Sequence, residues 1–395
     1  MKTYPTENIR NIVLVGHGGA GKTSLAEALL HCSGAITRMG KITEGNTVCD
    51  FDEEEIRKEI SVSTALAPIE WGGCKINILD APGYADFVGE MRAAMRVADL
   101  AVFVVSGVEG LEVQTQVAWN HADELQLPRM VFVNKLDREN SSFQRTLEQM
   151  RDAFGKAVAP IALPLGREHD YNGIISVIDE EAWHYDPNGK PSKVDIPEAR
   201  RARVEEVHTD LLDSVAESDD ELLERYLEGG SISREEIVKA LHEGIDEARM
   251  FPVVVGSATN LIGVDRLADI IVAAGPSPLD RPPAEGVDGA ARESKPDAPM
   301  SALVFKTMTD PYVGRVSFFR VYSGTLKGDA SLHNATKNVD ERVGHVFTMR
   351  GKTQEELSEV VAGDIGAIAK LNHTATGDTI ADKAAPIVFP GIEAP

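Results

Sequence analysis

The sequence predicts an α/β domain with a mostly parallel sheet and helices on both faces, an inserted α+β subdomain, and a following antiparallel β-barrel domain. Three observations predict this fold. Apolar runs alternate with amphipathic stretches through the first part of the chain, an acidic helical stretch interrupts that alternation, and short β-type runs separated by Gly and Asp follow a Pro-rich segment. The 395 residues also exceed one ordinary domain.

The α/β part rests on five strand-like runs and three helical candidates. The apolar runs occupy residues 12–15, 76–79, 100–105, 130–133 and 253–255. Apolar residues recur three and four positions apart at residues 23–30, 114–125 and 142–154, which predicts helices covering the sheet. We therefore expect a first domain over residues 1–275.

The inserted subdomain is expected at about residues 159–250, where the acidic helical stretch 200–228 breaks the alternation. Residues 276–298 contain five prolines and are expected to form a linker. The barrel domain is then expected over residues 299–395, with strands at 302–306, 313–322, 330–333, 342–349 and 365–370.

Composition excludes several classes of function. A net charge of -23 argues against sequence-independent nucleic-acid binding through a basic face, so we expect no DNA partner and only local RNA contacts. No apolar run reaches the roughly 18 residues of a membrane span, and the polar amino terminus lacks a secretory signal. Cys32, Cys49 and Cys74 have no metal-ligand spacing, which fits free thiols. We expect a cytoplasmic protein without membrane association.

A phosphate-binding loop follows the first predicted strand. The sequence Gly16-His17-Gly18-Gly19-Ala20-Gly21-Lys22-Thr23 matches G-x-x-x-x-G-K-[ST] between a strand and a helix. Glycines let backbone N–H groups point at phosphate oxygens, and the helix amino terminus adds its positive dipole. Lys22 is then expected to contact the β and γ phosphates, and Thr23 to ligate magnesium.

The motif Asn134-Lys135-Leu136-Asp137 predicts which nucleotide base the site binds. It lies at the carboxyl end of the predicted strand 130–133. The Asp137 carboxylate can accept from the N1–H and the 2-amino group of guanine, whereas adenine has no donor at either position. Two charge-assisted hydrogen bonds of about 1.5 to 3 kcal/mol each favour guanine by roughly a hundredfold or more. Backbone N–H groups of Ser257 and Ala258 are suited to the guanine O6.

A sensor of the third phosphate is predicted between these motifs. Asp80-Ala81-Pro82-Gly83 ends the predicted strand 76–79, where Asp80 can hold magnesium through water and the Gly83 N–H can reach the γ phosphate. Upstream, Ser61 is the hydroxyl expected to complete the magnesium shell. The alternative for this upstream segment is a solvated acidic helix with an edge strand. The ligands expected overall are GTP or GDP with Mg²⁺.

With these motifs, the chain resembles translation elongation factor G or one of its divergent paralogues. Besides the nucleotide motifs, the resemblance rests on Asp86-Phe87, Gly107-Val108-Glu109-Gly110, Arg320-Val321-Tyr322-Ser323-Gly324-Thr325-Leu326-Lys327-Gly328-Asp329 and Gly377-Asp378-Thr379. It implies a GTPase domain with its inserted subdomain, a second β-barrel domain, and the ribosome as partner of a monomer. Three further domains follow in the family, so we expect a fragment rather than a natural truncation.

The sequence departs from the family pattern at several positions. Gly19 replaces an Asp, Arg57-Lys58-Glu59 replaces Glu-Arg-Gly, and Ser61 replaces a threonine. Tyr84 stands at the position of the family's catalytic histidine, so we expect weak GTP hydrolysis unless Tyr84 merely packs and another residue positions the water. The alternatives are a nucleotide-dependent binding switch with little hydrolysis and a ribosome-protection or accessory paralogue. An ATPase or kinase is disfavoured by Asp137.

Overall fold

The structure is a computed structural model, and it describes residues 1–392. Through residue 154 its elements, in chain order, are β1 (Ile9–Val15), α1 (Lys22–Cys32), α2 (Glu53–Lys58), β2 (Ala65–Trp71), β3 (Cys74–Asp80), α3 (Val88–Val97), β4 (Leu100–Ser106), α4 (Val113–Glu124), β5 (Arg129–Asn134) and α5 (Phe143–Phe154). The predicted strands and helices of this region are present within a few residues.

The interrupting segment contains its own sheet and three helices. The elements from residue 158 to residue 274 are β6 (Val158–Pro160), β7 (Ala162–Leu165), β8 (Gly173–Ser176), β9 (Glu181–Tyr185), β10 (Pro191–Val194), α6 (Glu198–Ala216), α7 (Asp220–Leu227), α8 (Arg234–Asp246), β11 (Phe251–Val255) and α9 (Val264–Ala274). The predicted helical stretch 200–228 forms α6 and α7, and Asp219 caps the start of α7 by accepting a hydrogen bond from the Leu222 N–H over 2.9 Å.

The remaining described chain is almost entirely β-structure. Its strands are β12 (Ala284–Glu285), β13 (Ala291–Arg292), β14 (Ser301–Asp310), β15 (Gly314–Ser323), β16 (Thr325–Lys327), β17 (Ser331–Asn334), β18 (Val339–Arg342), β19 (Val346–Arg350), β20 (Thr353–Glu356), β21 (Glu359–Val361), β22 (Ile365–Ala369) and β23 (Thr379–Ala381). The single strand predicted at 342–349 is wrong, since residues 343–345 interrupt it. The predicted linker contains the short β12–β13 hairpin.

The chain forms two compact units. The first unit comprises Met1–Val13, Gly40–Asp99 and the described chain from Pro276 onward. The second unit comprises Leu14–Met39 and Leu100–Gly275. These units do not coincide with the expected domains 1–275 and 299–395, whose limits stay predictions.

In the second unit, parallel pairing gives the strand order β4-β5-β11-β6. The inserted segment adds a separate antiparallel sheet of order β10-β9-β8-β7. Because Ser106 pairs with Asn134 and Val255 pairs with Val133, strands β4, β5 and β11 end side by side at one edge. Loops after these strands therefore converge, as expected for a ligand site of a parallel sheet.

In the first unit, β2 and β3 form an antiparallel pair, and the C-terminal strands form an eight-stranded antiparallel sheet of order β18-β17-β23-β14-β15-β22-β19-β20. The short pair β16–β21 accompanies it. The apolar centre of this barrel includes the fully buried Ala302, Val304, Phe319 and Val321. The predicted α/β sheet with helices, followed by an antiparallel barrel, is confirmed. Among residues 1–392, no helix has the length and apolar character needed to cross a membrane.

Candidate nucleotide-binding site

The loop of residues 16–21 depends on glycine at defined positions. Gly16, Gly19 and Gly21 have φ values of 148°, 86° and 102°, a region that residues with a Cβ rarely adopt. A Cβ on Gly16 would lie 2.4 Å from the Val104 carbonyl oxygen, and a Cβ on Gly21 would lie 2.2 Å from Asn134 Nδ2. The loop is therefore closely packed at both ends, whereas a Cβ on Gly19 would meet no atom within 4 Å.

Lys22 closes this loop. Its side chain is buried, and its Nζ donates to the carbonyl oxygens of Gly16 and His17 over 3.1 and 2.8 Å. The ammonium therefore lies across the loop at the start of α1, where the helix dipole is positive. Thr23 is buried in the first turn of the same helix. A fixed cation and a helix amino terminus together favour a phosphate ligand.

His17, at a variable position of the loop motif, contacts residues at the start of α4. Its Nδ1 accepts from the Gln114 N–H over 3.3 Å, and its Nε2 lies 3.6 Å from Glu112 Oε1. Sequence reasoning missed Glu112 and Gln114, because nothing in a Gly-rich motif indicates which distant residue fixes its variable positions. Ala20, another variable position of the loop, is buried, and Gly18 and Gly19 lie between it and His17.

Asn134 joins three parts of the second unit. Its Nδ2 donates to the Ala20 carbonyl oxygen over 3.0 Å, and its Oδ1 accepts from the Ala258 N–H over 3.0 Å. The next residue, Lys135, has a φ of 63° and donates from Nζ to the Gly19 carbonyl oxygen over 2.5 Å. The structure thus brings the loop, the end of β5 and the turn after β11 together, as the motifs predict.

The carboxylate of Asp137 is only partly satisfied. Asp137 Oδ2 accepts from Asn260 Nδ2 over 3.3 Å and lies 3.6 Å from Arg138 Nε. Asp137 Oδ1 is buried, and within residues 1–392 it has no hydrogen-bond partner. A buried carboxylate oxygen without a donor is costly, so this atom fits a ligand that supplies an N–H. Leu136 is buried beside Gly107 and anchors the turn that carries Asp137.

Two further side chains near Asp137 were not predicted. Asn260 belongs to the turn after β11, and Tyr171 belongs to the inserted segment. Burial raises the pKa of the Tyr171 phenol well above its usual value, and the negative charge of Asp137 raises it further. Neither residue belongs to a recognisable motif, and their proximity to Asp137 arises only from folding.

In the turn after β11, the backbone N–H groups of Ser257 and Ala258 form hydrogen bonds within the protein. The Ser257 N–H donates to the Ile262 carbonyl oxygen over 3.0 Å, and the Ala258 N–H donates to Asn134. In this structure both predicted donors to the guanine O6 therefore stabilise the site itself. Their contact with a base stays a prediction.

The other predicted residues belong to the first unit. Asp80 ends β3 and is almost fully buried, and Ala81, Pro82 and Gly83 after it are also buried. Tyr84 begins the short 3-10 turn Ala85–Phe87 and is 39% exposed, so it does not pack in the core.

Ser61 donates from Oγ to Asp50 Oδ1 over 2.6 Å. A hydroxyl whose proton is directed to a carboxylate keeps oxygen lone pairs for a cation. The hydroxyls of Thr23 and Ser61 and the Asp80 carboxylate are oxygen donors of the kind that magnesium prefers. Their chemical type therefore fits this ion, and their assignment as its ligands stays a prediction.

Comparisons with known proteins agree with this geometry. Residues 7–277 match the family described as elongation factor Tu GTP binding domain, and residues 299–383 match elongation factor G domain 2. A crystal structure of a protein from Thermus thermophilus is similar over 98% of this chain, with 36% sequence identity and a TM-score of 0.88. The chain covers 56% of that protein, so it spans little more than half of its length.

Proposed function

The chain belongs to the elongation factor G family of translational GTPases, and from this premise we propose that it binds GTP and GDP with magnesium, hydrolyses GTP and acts with the ribosome. The observation that carries the guanine assignment is the buried Asp137 Oδ1, which has no hydrogen-bond partner among residues 1–392, in the same site as the phosphate-type loop. Guanine offers this carboxylate its N1–H and 2-amino group, and adenine has no donor at either position.

In the proposed complex, backbone N–H groups of residues 16–21 and the Lys22 ammonium bind the phosphates. Magnesium, when bound, would neutralise charge on the β and γ phosphates, with Thr23, Ser61 and Asp80 as its residues on this chain. The Gly83 N–H would contact the γ phosphate and make the segment after β3 sensitive to hydrolysis. Asp137 would orient the guanine base. Asn134 would keep the turn that carries Asp137 hydrogen-bonded to the loop of residues 16–21.

Tyr84 limits the proposed hydrolysis. Phosphoryl transfer depends mainly on positioning and on stabilising negative charge, which a cationic histidine can do. A phenol can hydrogen-bond a water but carries a positive charge in neither protonation state. We therefore infer weak GTPase activity. A second candidate function, a binding switch with little hydrolysis, is favoured by the same residue.

The base assignment is tested with Asp137→Asn. An amide can donate to the 2-oxo group of xanthine, so the variant should bind xanthosine diphosphate in place of GDP. Displacement of a fluorescent GDP or xanthosine diphosphate analogue measures the exchange, with ATP as a competitor in parallel. Asp152→Asn is the matched control, because Asp152 is exposed on α5 and the substitution makes the same charge change.

A variant that retains its preference for GDP would refute Asp137 as the base reader. Displacement by ATP as effective as by GTP would refute the guanine assignment altogether. Single-turnover hydrolysis with and without ribosomes then separates the two candidate functions. Ribosome-stimulated turnover supports the GTPase, and nucleotide binding without it supports the switch.

A further inference from the structure

Residues 61–64, which lead from Ser61 into β2, are fixed by acidic side chains of the same unit. Glu55 is buried, and its Oε1 accepts from the N–H groups of Val62 and Ser63 over 3.1 and 3.3 Å. Glu90, on α3, accepts from the Thr64 N–H over 2.7 Å. Together with the hydrogen bond from Ser61 to Asp50, these contacts fix each residue of the segment.

The barrel contributes a cation to this segment. Lys306, on β14, is 9% exposed, and its Nζ donates to Ser63 Oγ and to the Thr64 carbonyl oxygen. The same Nζ lies 3.7 Å from Glu90 Oε2. Lys306 and Glu90 therefore contact the segment together, since Glu90 Oε2 also accepts from the Thr64 N–H.

Burial disfavours the charged form of the Lys306 side chain. Desolvation lowers the pKa of Lys306, and the carboxylates of Glu90 and Glu55 partly restore it. A buried, paired charge is weak evidence for added stability. The ammonium donates to one hydroxyl and one carbonyl oxygen of the segment, so moving both Ser63 and Thr64 would remove both of these acceptors from a buried cation.

We propose that Lys306 is a positioning residue for Ser61. By holding Ser63 and Thr64, it keeps the Ser61 hydroxyl hydrogen-bonded to Asp50, in the position from which it would ligate the cation that accompanies a nucleoside triphosphate. This inference rests on the proposed function and deepens it, because it assigns to the barrel a part in telling GTP from GDP. A diphosphate, which does not engage Ser61, is not affected.

The test is Lys306→Met, which keeps the length of the side chain and removes its charge. The affinity for a non-hydrolysable GTP analogue with magnesium should fall about tenfold, because ordering a free segment costs conformational entropy at binding. The affinity for GDP should stay within about twofold of wild type, since the phosphate loop is untouched. Calorimetry measures both nucleotides, and hydrogen exchange should show faster exchange of the Val62, Ser63 and Thr64 amides.

The matched control is Lys352→Met. Lys352 lines the same cavity of about 1200 Å³ as Lys306, yet it is exposed and makes no hydrogen bond or ion pair within residues 1–392. Unchanged affinity for both nucleotides is expected. Should Lys306→Met not fold, Glu90→Ala removes the acceptor of the Thr64 N–H from a less buried position and should give the same selective loss.

Equal loss of both nucleotides, or no loss of the triphosphate analogue in a folded variant, would overturn the positioning role. Failure of the wild-type protein to bind either nucleotide would instead overturn the proposed function. The two failures are thus distinct.

Discussion

The side-chain amide of Asn134 donates to the carbonyl oxygen of Ala20 over 3.0 Å and accepts from the N–H of Ala258 over the same distance. Asn134→Ala removes both hydrogen bonds, each worth about 1 kcal/mol, so affinity for GDP and GTP should fall at least roughly tenfold. Displacement of a fluorescent GDP analogue measures the loss. Asn120→Ala, at an exposed position of α4, is the control and should change nothing. Unaltered binding by Asn134→Ala would mean that this bridge does not organise the site.

The phosphate loop should distinguish between two glycines that both have positive φ. Gly21→Ala places a Cβ 2.2 Å from Asn134 Nδ2, whereas Gly19→Ala places it in open space. The strain of a positive φ is common to both, at about 1 kcal/mol, so only Gly21→Ala should abolish nucleotide binding. Calorimetry with GDP on the two variants checks this difference. Comparable affinities would contradict the packing described for the loop.

Tyr84→His should increase single-turnover GTP hydrolysis on ribosomes. Removing one preorganised electrostatic contact in other active sites costs about a hundredfold to a thousandfold in rate, so restoring a cationic side chain should give a large gain. Because Tyr84 is exposed, the substitution should leave the free energy of unfolding unchanged. Quench-flow rates at equal nucleotide occupancy provide the measurement. A rate equal to or below wild type would show that another group limits hydrolysis.

A stability prediction concerns Lys75, which is fully buried in β3. Its Nζ lies 3.1 and 3.0 Å from the two carboxylate oxygens of Asp364, which is also buried. Lys75→Met leaves that carboxylate without its counter-ion, and we expect the free energy of unfolding to fall by about 3 to 5 kcal/mol. Denaturant unfolding measures it, with the exposed Lys156→Met as control. The double variant Lys75→Met/Asp364→Leu should recover part of the loss.

Cys32 should be a slow nucleophile. Burial, and to a smaller extent the charge of Asp265, raise the pKa of its thiol to about 11. Because the thiolate is the reactive form, alkylation near pH 8 should be at least a hundredfold slower than for an ordinary exposed cysteine of pKa about 8.5. The rate should rise about tenfold per pH unit up to pH 10. Iodoacetamide labelling followed by mass spectrometry measures it, and a plateau near pH 8.5 would contradict the shift.

The elements that were predicted correctly are determined by residues that are close together in the sequence. Buried parallel strands such as β4 and β5 are uninterrupted apolar runs, and the loop after β1 carries its conformation in its own glycines. Strand β2 was not predicted, because it contains Pro68 and its apolar run is interrupted by the exposed Glu70. The predicted strand 342–349 is split because β18 pairs with β17 and β19 pairs with β22, and residues 343–345 connect the two.

The residues of the candidate site also fall into those that the sequence identifies and those that it does not. Lys22, Asn134 and Asp137 belong to motifs whose spacing defines their roles, so the sequence alone identifies them. Lys306 was predicted only as part of a barrel strand, since its hydrogen-bond partner Ser63 lies 243 residues away along the chain. A single sequence contains no signal for a contact of that kind.

The buried ion pairs of the first unit bear on how this protein can be divided for experiments. Asp99 is paired with Arg320 over 2.7 Å, and Lys75 is paired with Asp364, so each charge from the N-terminal part has its partner in the barrel. A recombinant GTPase domain ended near residue 277, where the family match stops, would retain Asp99 and Lys75 and discard both partners. Such a truncated protein should aggregate or unfold readily, and nucleotide affinities measured on it would underestimate those of the chain that contains the barrel.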